Sequence, residues 1–174
     1  MRPEANILTE CFVDTLIAQI ILYPKKDYNH QKGCNNVLKR IREKFADKAA
    51  FGIIDDDKTV TNFNAFLLLK KHNEHLAIYK HSDKPHYIIK IGKAIENFIF
   101  HCAEQCNISL VDYNLPTNLN ELKNRTKQAT SLKDNDLKNL FSVLKQNDAS
   151  DLFKLAQWIE LFKKNPYDVN IKLL

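Results

Sequence analysis

Two hydrophobic rhythms alternate along this chain. Short apolar runs of strand length stop on charged residues, and between them lie stretches whose apolar positions recur every three or four residues, the period of an amphipathic helix. The clearest run is Phe51-Gly-Ile-Ile, which ends on Asp55, Asp56 and Asp57. It reads as a buried strand with acids at its carboxyl end. A first strand is expected over residues 6–12, followed by a helix from Asp14, which can act as N-cap. Residues 23–33 fit either a short strand or a loop. Asn35 or Asn36 can cap a helix through Phe45, with Val37, Leu38, Ile41 and Phe45 on one face and Lys39, Arg40, Arg42 and Lys44 on the other.

After the central strand the pattern predicts a helix from Asn62 to His72, a strand at Leu76–Tyr79, and a turn over His81–Pro85. Tyr87–Ile91 reads as another strand or an extended approach to the next helix. A helix over Lys93–Cys106 places Ile95, Phe98, Ile99 and Cys102 on a buried stripe, with Glu96 near its start. Strands alternating with helices predict an α/β domain with a mostly parallel sheet. Beyond Asn107 the rhythm is helical only. Residues 134–146 and 150–164 form two amphipathic helices with no polar cluster that suggests chemistry.

Length adds domain count to this picture. A chain of 174 residues, 44% of them hydrophobic, suits one core. The expected organisation is an α/β core over 1–107 and a helical extension over 108–174, packed together as a single globular unit. Glu10 and Asp14 interrupt the first apolar stretch, so no signal peptide is expected, and no run is long enough to span a membrane. A soluble, cytoplasmic protein is the expectation. Cys11, Cys34, Cys102 and Cys106 lack disulfide-framework or Cys-x-x-Cys spacing, which fits reduced thiols.

Charge narrows the function classes. The net charge is only +5, but residues 23–48 carry eight bases against three acids, and residues 70–93 carry six lysines against two acids. The segments holding Glu10, Asp14, Asp55, Asp57 and Glu96 are each net acidic. Acidic pockets within basic surface suit a metal-dependent enzyme acting on a polyanion, although solvated charged faces give the same pattern. If strand geometry persists into the acids, Asp55 and Asp57 point one way and Asp56 the other. Two same-facing carboxylates repel unless a cation lies between them, and Mg²⁺ or Mn²⁺ meets that need with few protein ligands.

Glu10-Cys-Phe-Val-Asp14 closing one strand and Asp55-Asp-Asp57 closing another resemble the Toprim domain of topoisomerases, primases and overcoming-lysogenisation-defect nucleases. The resemblance covers roughly residues 6–100 and implies a Toprim-like, Rossmann-like sheet whose carboxyl edge gathers the acids around Mg²⁺ for phosphodiester chemistry. The matching residues are Glu10, Asp14, Asp55 and Asp57; the family's usual glycine after the Glu is Cys11 here. Gly33, in Asn29-His-Gln-Lys-Gly33, sits where the family has a glycine turn. Ala94-Ile-Glu-Asn-Phe98 is similar to a stretch of small Toprim-like proteins encoded beside ATPases in phage-defence systems, where that Glu joins the acidic site. Glu96 fits that role or that of a first-turn acid favoured by the helix dipole.

What the resemblance implies is hydrolysis of DNA or RNA, with an ATPase subunit as a partner in the defence-system setting. Glu10, Asp55 and Asp57 are then the catalytic acids, Lys58 or Lys90 the cation that steadies the developing charge. His30, Lys32, Lys39, Arg40 and Lys90 are candidate nucleic-acid contacts. Two other readings stand beside this one. Asp55-Asp-Asp-Lys-Thr59 also resembles the first motif of haloacid-dehalogenase phosphatases, and a Toprim-like domain can serve as a non-catalytic interaction subunit. His101, Cys102 and Cys106 read as helix packing rather than a zinc site, and His72, His75, His81 and His86 as surface residues.

Overall fold

A computed structural model describes residues 6–21, 28–56 and 59–174. In chain order these form β1 (Ile7–Thr9), α1 (Phe12–Ile21), β2 (Tyr28–His30), α2 (Cys34–Lys44), β3 (Ala50–Asp55), β4 (Phe66–Lys71), β5 (Leu76–His81) and β6 (His86–Ile91). Helices α3 (Ile95–Gln105), α4 (Leu119–Thr126), α5 (Asn135–Gln146) and α6 (Ser150–Lys164) follow, joined by short 3₁₀ turns. The six strands make one sheet in the order β2-β1-β3-β6-β5-β4. β2, β1, β3 and β6 pair in parallel, and β5 runs antiparallel between β6 and β4. The fold is α/β and Rossmann-like, with a mostly parallel sheet.

Every residue of β3 is buried, as expected for a parallel strand covered on both faces. Alternation along the strands sends Ile7, Phe51 and Ile53 into one core with Val13, Leu16 and Ile17 of α1. It sends Leu8, Ala50 and Ile54 into another with Val37, Leu38 and Ile41 of α2. α1 and α2 therefore cover opposite faces. Gly52 lets α2 approach the sheet closely: a Cβ there would lie 2.5 Å from Ile88 Cδ1 and 3.0 Å from Val37 Cγ1.

From β1 the chain moves to β2 on one side and, over the other face, to β3 on the opposite side. This reversal opens a crevice at the carboxyl ends of β1 and β3, the place where such sheets take their ligands. The C-terminal helices complete the first core: Leu140, Phe141, Leu152, Leu155 and Trp158 belong to the same buried cluster as Phe51. The Phe51 and Phe162 rings lie 4.8 Å apart. Residues 108–174 thus share the hydrophobic core of the sheet.

Several elements differ from the sequence reading. The segment expected as a helix from Asn62 to His72 holds β4 instead, an edge strand hydrogen-bonded to β5. Its Phe-Leu-Leu-Leu run fits either period. Asn62 takes a left-handed φ of 59°, which stops a helix there. Phe66 packs into the α2-side core, Leu69 packs against the other, and Leu67 and Leu68 are exposed. α1 begins at Phe12, so Asp14 stands in its first turn rather than at the N-cap. α2 is preceded by Gly33 at φ 94°, not capped by Asn35 or Asn36; Asn35 Oδ1 instead accepts from the Thr61 amide and hydroxyl, both at 2.9 Å. Of the ambiguous segment 23–33, Tyr28–His30 is a strand, and residues 22–27 lie outside the described residues. Among the described residues no helix is long and apolar enough to cross a membrane.

Candidate acidic site at the carboxyl edge of the sheet

β1 and β3 end side by side. The Glu10 amide donates to Ile53 O at 3.0 Å, and the Glu10 carboxylate accepts the Asp55 amide at 2.9 Å. Residues 45 positions apart in sequence are thereby joined at the switch point. The residues that converge there line a cleft of about 200 Å³: Glu10, Cys11, Gly33, Asp55, Ile95, Glu96, Lys123, Thr126 and Lys127. Glu10, Asp14, Asp55 and Glu96 are 5%, 2%, 9% and 4% exposed. Four carboxyl groups are thus withdrawn from water around one crevice, a costly arrangement unless protons or cations compensate.

Asp14 carries this cost most visibly. Its carboxyl is pushed up to about 7, first by burial and also by the negative charges of Glu10 and Glu96, against the lowering effect of hydrogen bonds with Cys11. Asp14 Oδ2 accepts the Cys11 amide at 3.1 Å, and the Asp14 amide donates to Cys11 Sγ at 3.3 Å. This is a reciprocal box at the start of α1 in which a thiol stands where Ser or Thr usually does. It gives Cys11 a structural role. Burial, then the charges of Asp14 and Asp55, push the Cys11 thiol well above its usual range, so it stays neutral. Asp14 Oδ1 is buried with no hydrogen-bond partner.

Glu96 enters from the first turn of α3, and its carboxylate accepts the Thr126 hydroxyl of α4. A first-turn acid serving only the helix dipole has no need of such burial. Gly33 lines the cleft with a positive φ, a conformation that a side chain adopts only with strain. Its amide donates to Glu10 O at 3.3 Å. Asp56 points away from Asp55 and pairs with Lys90 at 2.7 Å.

The sequence-predicted residues divide accordingly. Glu10, Asp55 and Glu96 line the cleft, and Asp14 stands behind it close enough to feel the charges of Glu10 and Glu96. Asp57 and Lys58 lie outside the described residues. Lys90 does not join the cleft: it pairs in register with Ile54, one position out of phase with Asp55. Its ammonium sits 4.4 Å from the Phe63 ring centroid on the α2 side, already neutralised by Asp56. Lys39 and Arg40 lie on the outer side of α2 and do not line the cleft. His30 ends β2 at the same sheet edge, its ring stacked on Phe12 at 4.0 Å, and burial, then Lys32, hold its imidazole below the usual value. Lys32 is exposed in the turn beside Gly33.

Sequence reasoning missed the contribution of α4. Lys123, Thr126 and Lys127 are spaced i, i+3 and i+4, which sets them on one helix face, but nothing in that spacing says that the face turns toward acids. It also missed a polar cluster around Asp151 of α6, which is 1% exposed. Asp151 accepts from Asn73 Nδ2 at 2.8 Å and Gln105 Nε2 at 3.1 Å, with His101 and His72 Nε2 at 3.3 and 3.5 Å. His75 stacks on His101. His75 and His86 are buried rather than surface residues, His86 through a hydrogen bond to Phe45 O at 3.0 Å. Cys102 is a buried packing residue as the sequence suggested.

The satisfied partners of Asp151 make it a fastener between the β4–β5 turn, α3 and α6. Asp151→Ala is expected to cost about 3 kcal/mol in a denaturant titration, because Asn73 and Gln105 lose a buried acceptor. A larger groove of about 540 Å³, lined by Leu152, Phe153, Ala156, Leu161 and Lys164 among others, lies on α6. Its two acids, Asp148 and Glu160, are exposed, in contrast to the buried carboxyl groups at the smaller cleft.

No protein-family model matches the chain, and no curated protein or solved structure matches it.

The donor set can be tested against a divalent ion on the chain's own atoms. All the donors are hard carboxylate oxygens, and the buried Asp14 Oδ1 lacks a hydrogen-bond donor. Among the described residues no three such groups already surround one point as a finished ligand set. Mg²⁺ and Mn²⁺ need none, since one or two carboxylates with water and substrate oxygens fill the shell. The residues fit such an ion. Glu10 and Asp55 would hold it, with Glu96 in the same cleft and Asp14 behind it.

Proposed function

We propose that this protein is a Mg²⁺- or Mn²⁺-dependent hydrolase of nucleic-acid phosphodiesters, of the Toprim type. The observation that carries the reading is the Glu10 carboxylate seated on the Asp55 amide at the switch point, 2.9 Å away. Acids from two strands then face one cleft. When bound, a divalent ion neutralises these carboxylates and activates water and the leaving oxygen.

The chain's own residues do the rest. Glu10 is oriented by the Asp55 amide and acts as ligand or general base. Asp55 presents its carboxylate from the end of a fully buried strand. Glu96 is fixed by Thr126. Cys11 stays a neutral thiol and adds no competing charge. The closed-in cleft keeps bulk water from the carboxylates, which raises their hold on a cation. An ATPase partner belongs to the reading through the resemblance to phage-defence Toprim subunits.

Calorimetric titration of Mn²⁺ into the wild type and into Asp55→Ala with Asp57→Ala, beside a cleavage assay on DNA and RNA, tests this. Heat and cleavage in the wild type alone support it. Silence in both proteins overturns it and favours an interaction subunit.

A further inference from the structure

We propose that α4, which follows the last strand of the sheet, is the grip for the nucleic-acid backbone, through the ammonium groups of Lys123 and Lys127. The inference rests on the hydrolase reading above and names what that site holds. Lys123 and Lys127 line the cleft together with Thr126, whose hydroxyl is spent on Glu96. Lys123 is half-buried and Lys127 exposed. Neither makes an ion pair among the described residues, although four carboxyl groups lie close by. Two cations at the rim above a floor of acids complement a phosphodiester, whose oxygens need both the floor's metal and the rim's ammonium groups.

α4 is built to hold those ammonium groups still. Asn118 caps its start, accepting from the Asn120 and Glu121 amides. Leu122 is fully buried. Arg125 donates to both oxygens of Asp134 at 2.6 and 2.9 Å, to Asp136 Oδ2 at 2.6 Å and to Asn114 O at 2.6 Å. Of the three basic residues at this end of the helix, Lys123, Arg125 and the C-cap Lys127, the one that does not line the cleft is thus consumed in fastening the helix to the start of α5. The other two are left for a ligand. Lysine and arginine divide here by chemistry, the planar fork for fixed carboxylates and the compact ammonium for a mobile phosphate.

The cleft sets the kind of recognition. About 200 Å³ admits a phosphate with its sugar and lies below the usual range for whole small-molecule ligands. Contacts are then to the backbone, so binding is indifferent to base sequence.

The test uses the full chain and fluorescein-labelled single-stranded oligonucleotides of two unrelated sequences, titrated over a series of salt concentrations with Ca²⁺ present. For Lys123→Gln with Lys127→Gln, affinity should fall about tenfold for both sequences. The slope of log affinity against log salt should shrink by about 1.4, or roughly 0.7 for each lost phosphate contact. Mn²⁺ titration heat and melting temperature should match wild type, and Lys123→Arg with Lys127→Arg should restore most of the affinity. An unchanged slope in the glutamine variant, in a protein that still cleaves, overturns the grip and leaves the hydrolase reading intact. Loss of Mn²⁺ binding in that variant also overturns it, since the lysines would then be shaping the acids. A wild type that neither binds nor cleaves overturns both.

Discussion

Replacing Glu10 with glutamine is expected to yield a protein that melts at a higher temperature and, under the proposed hydrolase reading, loses nearly all cleavage of nucleic acid. The substitution keeps the shape and an oxygen able to accept the Asp55 amide, now at 2.9 Å from Glu10 Oε2. What it removes is one negative charge from a buried group of four. Glu10 is among the charges that push the Asp14 carboxyl upward, so neutralising it relieves repulsion. The gain should be about 1–2 kcal/mol, or a rise in melting temperature of roughly 2–6 °C without metal. Activity of the proposed hydrolase should fall about a thousandfold, because a neutral amide neither takes a proton from water nor holds a cation as a carboxylate does. A structural acid behaves in the opposite way: its loss destabilises and leaves the reaction alone. Scanning calorimetry of metal-free protein beside a cleavage assay separates the two. A lower melting temperature with cleavage retained sinks the assignment of Glu10 to the site.

Glu10 and Asp55 were legible because each closes an apolar run, and acids at such a boundary have few structural excuses. Which strands lie side by side was not legible from the run alone; it follows from the β1–β3 pairing that places Glu10 beside Ile53. Glu96 stood out only through resemblance, since a first-turn acid is ordinary by itself. Lys90 shows the limit of position without register. It lies one residue from the correct phase, and in a strand one residue is the whole thickness of the sheet. The Phe66–Leu69 run of β4 predicts a helix as readily as a strand, because four consecutive apolar residues satisfy both periods. The open edge beside β5 offers hydrogen bonds that sequence does not display. Lys123, Thr126 and Lys127 sit in a short helix of common composition, and their meaning comes wholly from where the core sets that helix down.

The second large effect concerns protons. The Asp14 carboxyl lies near 3.8 in its ordinary state and is pushed up to about 7 in the folded, metal-free chain. Between those values the folded protein keeps a proton that the unfolded chain has released. Stability therefore falls as pH rises from about 4 to about 7, and the full penalty persists above that, on the order of 4 kcal/mol. His30, His75 and His86 oppose this trend. Burial holds each imidazole below its usual value, so their contribution grows as pH rises through the ordinary histidine range. The raw curve mixes both signs, and the difference between wild type and Asp14→Asn isolates the carboxyl. Asparagine keeps an oxygen for the Cys11 amide, so the start of α1 should survive. Unfolding free energies from urea titrations at pH 4.5 and 7.5 should show the variant gaining on wild type by about 3 kcal/mol across that interval. Saturating Mn²⁺ at pH 7.5 should narrow that gap, because Glu10 and Asp55 remain to hold the ion in both proteins while only the wild type adds the attraction of the Asp14 charge. Parallel pH curves for the two proteins would mean that Asp14 titrates like an ordinary surface carboxyl, and the crowded, water-poor acidic floor on which the proposed chemistry stands would not exist.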